Sequence, residues 1–102
     1  MAKIGIIGGS GLEDPSILKE PETVELDTPY GEPSSALTTG KIDGTEVIIL
    51  SRHGKKHTIP PTQVNNRANI YALNQMKCDY IITTTACGSL REDIGRGDLV
   101  LL

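Results

Sequence analysis

Three short stretches of this sequence end a strand-like run in residue types that can hold an anion. "KIGIIGGSGLED", residues 3–14, passes from isoleucines into a turn made almost wholly of glycine and serine. "SRHGKKH", residues 51–57, follows the apolar "VIIL" and sets Arg52 beside His53. A guanidinium offers two parallel donors to a tetrahedral oxyanion, a geometry that an ammonium cannot reproduce. "TTTACGSL", residues 83–90, ends a third run in hydroxyls, small residues and a glycine, and successive N–H groups in such a turn can form an anion-holding nest. Each stretch also has a plainer reading. The glycines suit a tight turn at positive φ with no ligand, and Lys55 and Lys56 read best as a solvated basic loop. Convergence of the three strand ends is what would make them one phosphate site.

The kind of phosphate can be narrowed. A dinucleotide fingerprint needs G-x-G-x-x-G opening a helix. Gly9-Ser10-Gly11 supplies two of the glycines, but Asp14 stands in the third place and Pro15 and Pro21 restrict any helix. The triphosphate loop needs Gly-Lys-Ser/Thr, whereas Gly54-Lys55 is followed by Lys56. Cys87 with His53 could be written as an activated thiol, but a small residue packed in a turn is the preferred reading. His53 and His57 do not lie on a predicted helix that would present both rings to a metal.

The positioning elements follow from pattern. Residues 4–7 read as a buried first strand. Residues 13–33 carry four prolines, and allow a short helix near 16–19 and a short strand near 24–26, with loop elsewhere. Residues 36–42 and 45–50 flank Asp43-Gly44, a dipeptide suited to a tight hairpin turn. Residues 63–77 are proline-free and form the one substantial helix, with Val64, Ala68, Tyr71, Ala72 and Met76 on one face and Ile70 and Leu73 on the other side. The asparagines at 65, 66, 69 and 74 are unexpected there, because Asn is a mediocre helix former. Residues 79–86 are strand-like, 87–98 are loop, and 99–102 are apolar. Five or six strands with one helix make an α/β fold with a mixed central sheet, incomplete in this chain, because such a sheet needs cover on both faces.

Length and composition bound the rest. The 102 residues suit a portion of a single domain rather than two. The net charge is −3 with no basic stripe, and only three aromatics occur, so neither a nucleic-acid footprint nor a base-stacking platform is visible. No apolar run approaches the roughly 20 residues that span a bilayer, and no signal-peptide pattern opens the chain. Two cysteines in a globular sequence read as reduced, and a soluble cytoplasmic protein is the expectation.

"IGIIGGSGL", "TPYGEPS", "RHGKKHTIPP", "NNRANIYAL" and "TTACGSLRE" together resemble the amino-terminal part of the 5'-methylthioadenosine phosphorylases, in the trimeric purine nucleoside phosphorylase group. The resemblance covers essentially the whole chain. It implies a nucleoside phosphorylase-like sheet flanked by helices, and reversible phosphorolysis that releases adenine and 5-methylthioribose 1-phosphate. It implies inorganic phosphate as co-substrate, no cofactor or metal, and a homo-oligomer, expected to be a trimer. Under it Ser10, Arg52, His53, Thr85 and Ala86 match phosphate-binding positions, with serine at 10 where many relatives have threonine. The carboxylic acid that would assist departure of the base has no counterpart here; Glu13, Asp14, Glu92 and Asp93 do not match it. The chain alone is therefore expected to be inactive. Phosphorylases of 6-oxopurine nucleosides and a non-catalytic phosphate-binding fragment are the alternatives.

Overall fold

Residues 47–50, Val-Ile-Ile-Leu, carry no polar interruption, and a run of that kind belongs in a strand buried on both faces. It forms the heart of a strand, Thr45–Ser51, in which the last five residues are all buried. In the computed structural model, which describes residues 2–9 and 15–102, five strands are present: β1 (Lys3–Gly8), β2 (Lys19–Val24), β3 (Leu37–Ile42), β4 (Thr45–Ser51) and β5 (Tyr80–Thr83). They form one mixed sheet of order β2-β3-β4-β1-β5. β1 runs parallel to both of its neighbours, β4 and β5, while β2-β3 and β3-β4 are antiparallel.

The β3-β4 hairpin turns at Asp43-Gly44 as its sequence predicts. Both residues take positive φ, 48° and 81°, as a two-residue hairpin turn of this hand requires. The segment before it differs from expectation. A single 3-10 turn, Pro15–Ile17, replaces the short helix near 16–19, and the strand falls at Lys19–Val24 rather than at 24–26. Proline is tolerated because β2 is an edge strand and its pairing with β3 slips between Lys19 and Glu22, with Glu20 at φ 53°. The ladder hydrogen bond that Pro21 cannot donate is thus not demanded of it.

Helix α1 (Asn66–Gln75) is shorter than the expected 63–77, and a separate 3-10 turn, Pro61–Gln63, precedes it. Asn65 caps it, its side chain accepting from the Ala68 N–H at 3.1 Å. The buried stripe is Ala68, Asn69, Ala72 and Leu73. Leu73 therefore lies in the core, not on the outer side, and Ile70 is the exposed residue. The stripe advances by one, three and one residues, as helix geometry allows, and packs on Ile7, Leu37, Ile48 and Leu50. Closeness here depends on Gly5 of β1, where an added Cβ would stand 3.1 Å from both Leu73 methyl carbons.

The opposite face of the sheet carries Leu18, Val47 and Ile49, with Ile6 and Ile42 beside them. Cover fades toward β5. Ile4 and Ile6 are half-buried, and Tyr80, Ile81 and Ile82 remain 65%, 37% and 50% exposed. Residues 99–102 form no sixth strand and are exposed. The sheet is thus mixed, as predicted, with its β5 side open. No helix among the described residues is long and apolar enough to cross a membrane.

Candidate functional site

Because β1, β4 and β5 are mutually parallel, their carboxyl ends lie along one edge of the sheet, where ligands of open α/β sheets collect. Arg52 follows β4 directly and extends its pairing with β1 by one bond, Arg52 N–H to Gly8 O at 2.9 Å. Its Nη2 donates to Thr84 O at 2.6 Å and to Ile7 O at 3.3 Å, so one end of the guanidinium is fastened to the ends of β1 and β5. The Thr84 N–H in turn donates to Ile7 O at 3.2 Å, and the Gly9 N–H reaches Thr84 Oγ1 at 3.4 Å. Two strand termini and one arginine are tied into a single unit.

Gly9 is required by that closeness. A Cβ there would stand 3.0 Å from Thr84 O and 3.2 Å from Arg52 Nη1. Gly9→Ala is expected to push the Thr84 carbonyl away from Arg52 and to lower stability by about 1–3 kcal/mol, the usual penalty for overpacking. Urea unfolding of the chain measures it, and an unchanged midpoint would show that the carbonyl yields freely.

His53 comes next. Its Nδ1 lies 2.9 Å from Ile59 O, and a carbonyl can only accept, so Nδ1 carries the hydrogen. Nε2 is left for other work. The Ile59 N–H returns a bond to His53 O at 3.0 Å, and Gly54 N–H to Ser51 O closes the turn beneath. The His53 ring lies 5.1 Å from that of His57, with the planes tilted by 44°. Lys55 and Lys56 are exposed, as a solvated loop would be.

Arg52, His53, Thr85, Ala86 and Gly9 line one cleft of about 310 Å³. Pro61, Val64 and Asn66 complete the lining; the sequence marked Val64 as helix face and Asn66 as an unexpected helix asparagine, and none of the three as an anion ligand. The signal was present: Pro60-Pro61 and the Asn65 cap fix where α1 begins, and a helix N-terminus suits an anion because its first N–H groups point outward. Thr85 and Ala86 lie just past β5, exposed, and their amides donate to no described residue. Ser10, the remaining sequence candidate, lies outside the described residues. A cleft near the lower end of the roughly 300–1,000 Å³ usual for small ligands has room for an anion and part of a second molecule.

The thiol and metal readings find little here. Cys87 is exposed and is not hydrogen-bonded to His53. Cys78 packs beside Gly5 and Leu73, and burial pushes its thiol pKa up, opposed in part by Lys3. A raised pKa leaves the Cys78 thiol poorly suited to act as a nucleophile. Among the described residues, no three His, Cys, Asp or Glu side chains gather as a metal site would need.

The chain is 57% identical over 99 residues to the S-methyl-5'-thioadenosine phosphorylase of Drosophila melanogaster, covering 97% of the chain and 34% of that protein. Its match to the enzyme of the same name from Danio rerio is 57% over 100 residues, or 98% and 36% of the two chains. In three dimensions it superposes on methylthioadenosine phosphorylase from Schistosoma mansoni in complex with tubercidin with a TM-score of 0.89 and 47% identity. That alignment covers 96% of this chain and 35% of the other. The chain spans about a third of the length of the relatives it matches, and its sheet is part of the nucleoside phosphorylase fold. A family model, that of the phosphorylase superfamily, matches residues 3–102, and the chain belongs to that superfamily.

Proposed function

We propose that this chain supplies the phosphate half of a 5'-methylthioadenosine phosphorylase site, in a protein that converts 5'-methylthioadenosine and phosphate into adenine and 5-methylthioribose 1-phosphate. One observation carries the reading: Arg52, fastened at Nη2 to the ends of β1 and β5, shares a cleft with His53, Thr85 and Ala86. Orthophosphate would lie against the unfastened part of the guanidinium, His53 Nε2 and the amides around Thr85 and Ala86, with Ser10 completing the set from the glycine turn. Arginine, imidazole and backbone N–H groups are the donors that such an anion takes. The phosphate assignments of these five residues belong to the proposal.

The chemistry follows from where charge develops. A phosphate oxygen forms a bond to C1′ as the bond from C1′ to the purine nitrogen breaks, and the bonding electron pair leaves with the base. The sugar acquires oxocarbenium character on the way. An anion held beside it is both nucleophile and electrostatic stabiliser, and fixing it in place removes part of the entropic barrier. Departure of the purine calls for a proton or a strong hydrogen bond at a ring nitrogen, a role suited to a carboxylic acid near the base. No acid of this chain is assigned to it. Phosphate is a co-substrate and the reaction needs no cofactor. The free thiols of Cys78 and Cys87 accord with a cytoplasmic setting, and the open β5 side accords with a homotrimer.

Adenine release from 5'-methylthioadenosine by the full-length protein, with and without phosphate, tests the reading. Phosphate-dependent release is expected, with none from the 102-residue chain alone. Release that ignores phosphate, or no release at all, would overturn it.

A further inference from the structure

We infer that Asn69 is a positioning residue for the phosphate-binding turn, acting on Arg52 and His53 through the loop at residues 34–35 without touching the anion itself; this deepens the reading above and rests on it. Asn69 sits in mid-helix, 1% exposed, on the stripe that faces the core. Asn costs helix propensity, and a buried amide is expensive unless bonded, so an apolar residue would serve the core better. Its amide is spent wholly on Ser34: Oδ1 accepts from the Ser34 N–H at 2.8 Å, and Nδ2 donates to Ser34 Oγ at 3.1 Å.

From there the contacts lead to the site. The Ser35 hydroxyl, one residue on, accepts from the Ser51 N–H at 3.0 Å and donates to Ala36 O at 2.8 Å. Ser34 O lies against Gly54, 3.5 Å from where a Cβ would be. Ser35 thus bonds the start of the turn from Ser51 to Gly54, which carries Arg52 and His53, and Ser34 O packs against its end. Asn65 fastens the preceding part of the same loop, its Nδ2 donating to Tyr30 O at 2.8 Å and Glu32 O at 3.4 Å. Two asparagines of one helix therefore set the height of the loop on which the turn rests.

The test is phosphate kinetics on the full-length protein bearing Asn69→Ala, Ser35→Ala, both, or Arg52→Ala. Asn69→Ala is expected to raise the KM for phosphate about tenfold, while kcat at saturating phosphate and the KM for nucleoside change less than twofold. Ser35→Ala should show the same selective rise, and the double variant should not exceed the larger single effect, because coupled residues do not add. A loss of thermal stability with an unchanged phosphate KM would reduce Asn69 to packing and overturn the inference. Should Asn69→Ala fail to fold, Ser35→Ala decides: a phosphate KM within twofold of the parent overturns the inference. Arg52→Ala separates the two levels of failure. If it leaves phosphate dependence unchanged, the phosphate assignment itself falls; if it raises the phosphate KM while Asn69→Ala and Ser35→Ala do not, only the positioning role is lost.

Discussion

Arg52→Ala is expected to raise the phosphate requirement of the full-length protein between roughly tenfold and a hundredfold. Hydrogen bonds to charged groups are worth about 1.5–3 kcal/mol, and each ~1.4 kcal/mol is a factor of ten. Two losses contribute. The anion loses the charged donor that Nε and Nη1 offer, and the carbonyls of Thr84 and Ile7 lose the group that draws the ends of β5 and β1 together. Thr84 is exposed, so water can replace the second loss in part. The effect should therefore appear mainly as a rise in phosphate KM rather than as unfolding. Arg52→Lys keeps the charge, but a single ammonium nitrogen cannot bond both carbonyls and also reach the anion from separate nitrogens as a guanidinium does, and it should fall between alanine and the parent. A phosphate KM within twofold of the parent in Arg52→Ala would remove this residue from the site.

Leu73→Ala is expected to lower folding stability by about 2–5 kcal/mol, the range found when a buried leucine leaves a cavity. Leu73 is fully buried, lies against Gly5 of β1 and packs in the main core with Leu37, Ile48 and Leu50. That loss is a large fraction of the ~5–15 kcal/mol that a domain commonly has. Urea midpoints of the chain measure it. The partner substitution gives a sharper check: Gly5→Ala overpacks against the Leu73 methyls and should destabilise alone, yet combined with Leu73→Ala it should recover part of the loss by filling the space. Additive penalties in the double variant would mean that the two residues do not share the contact.

How much of this was legible follows from where the information sits. Asp43-Gly44 announced its hairpin because the turn's positive φ angles are a local demand met by local residue types. The place of Arg52 and His53 at a strand end was legible too, since "VIIL" stops at Ser51. The helix stripe was less so. Counting apolar residues alone set Leu73 on the wrong side, because the stripe includes Asn69, whose burial is explained only by Ser34, 35 residues earlier in sequence. β2 escaped for a related reason: Pro21 reads as a loop unless the strand is known to be an edge with a slipped register. The fastening of Arg52 to Thr84 O joins residues 32 apart through a backbone carbonyl, and carbonyls leave no trace in residue types.

The strand order also has a consequence during synthesis. Of these five strands β1 is translated before the others but lies between β4 and β5, so both of its neighbours are made later. At about 5–20 residues per second, a growing chain carries Ile4, Ile6 and Ile7 without a partner for some seconds before β4 is complete. Through that interval these isoleucines form an unpaired apolar segment that a chaperone at the ribosome exit would shield.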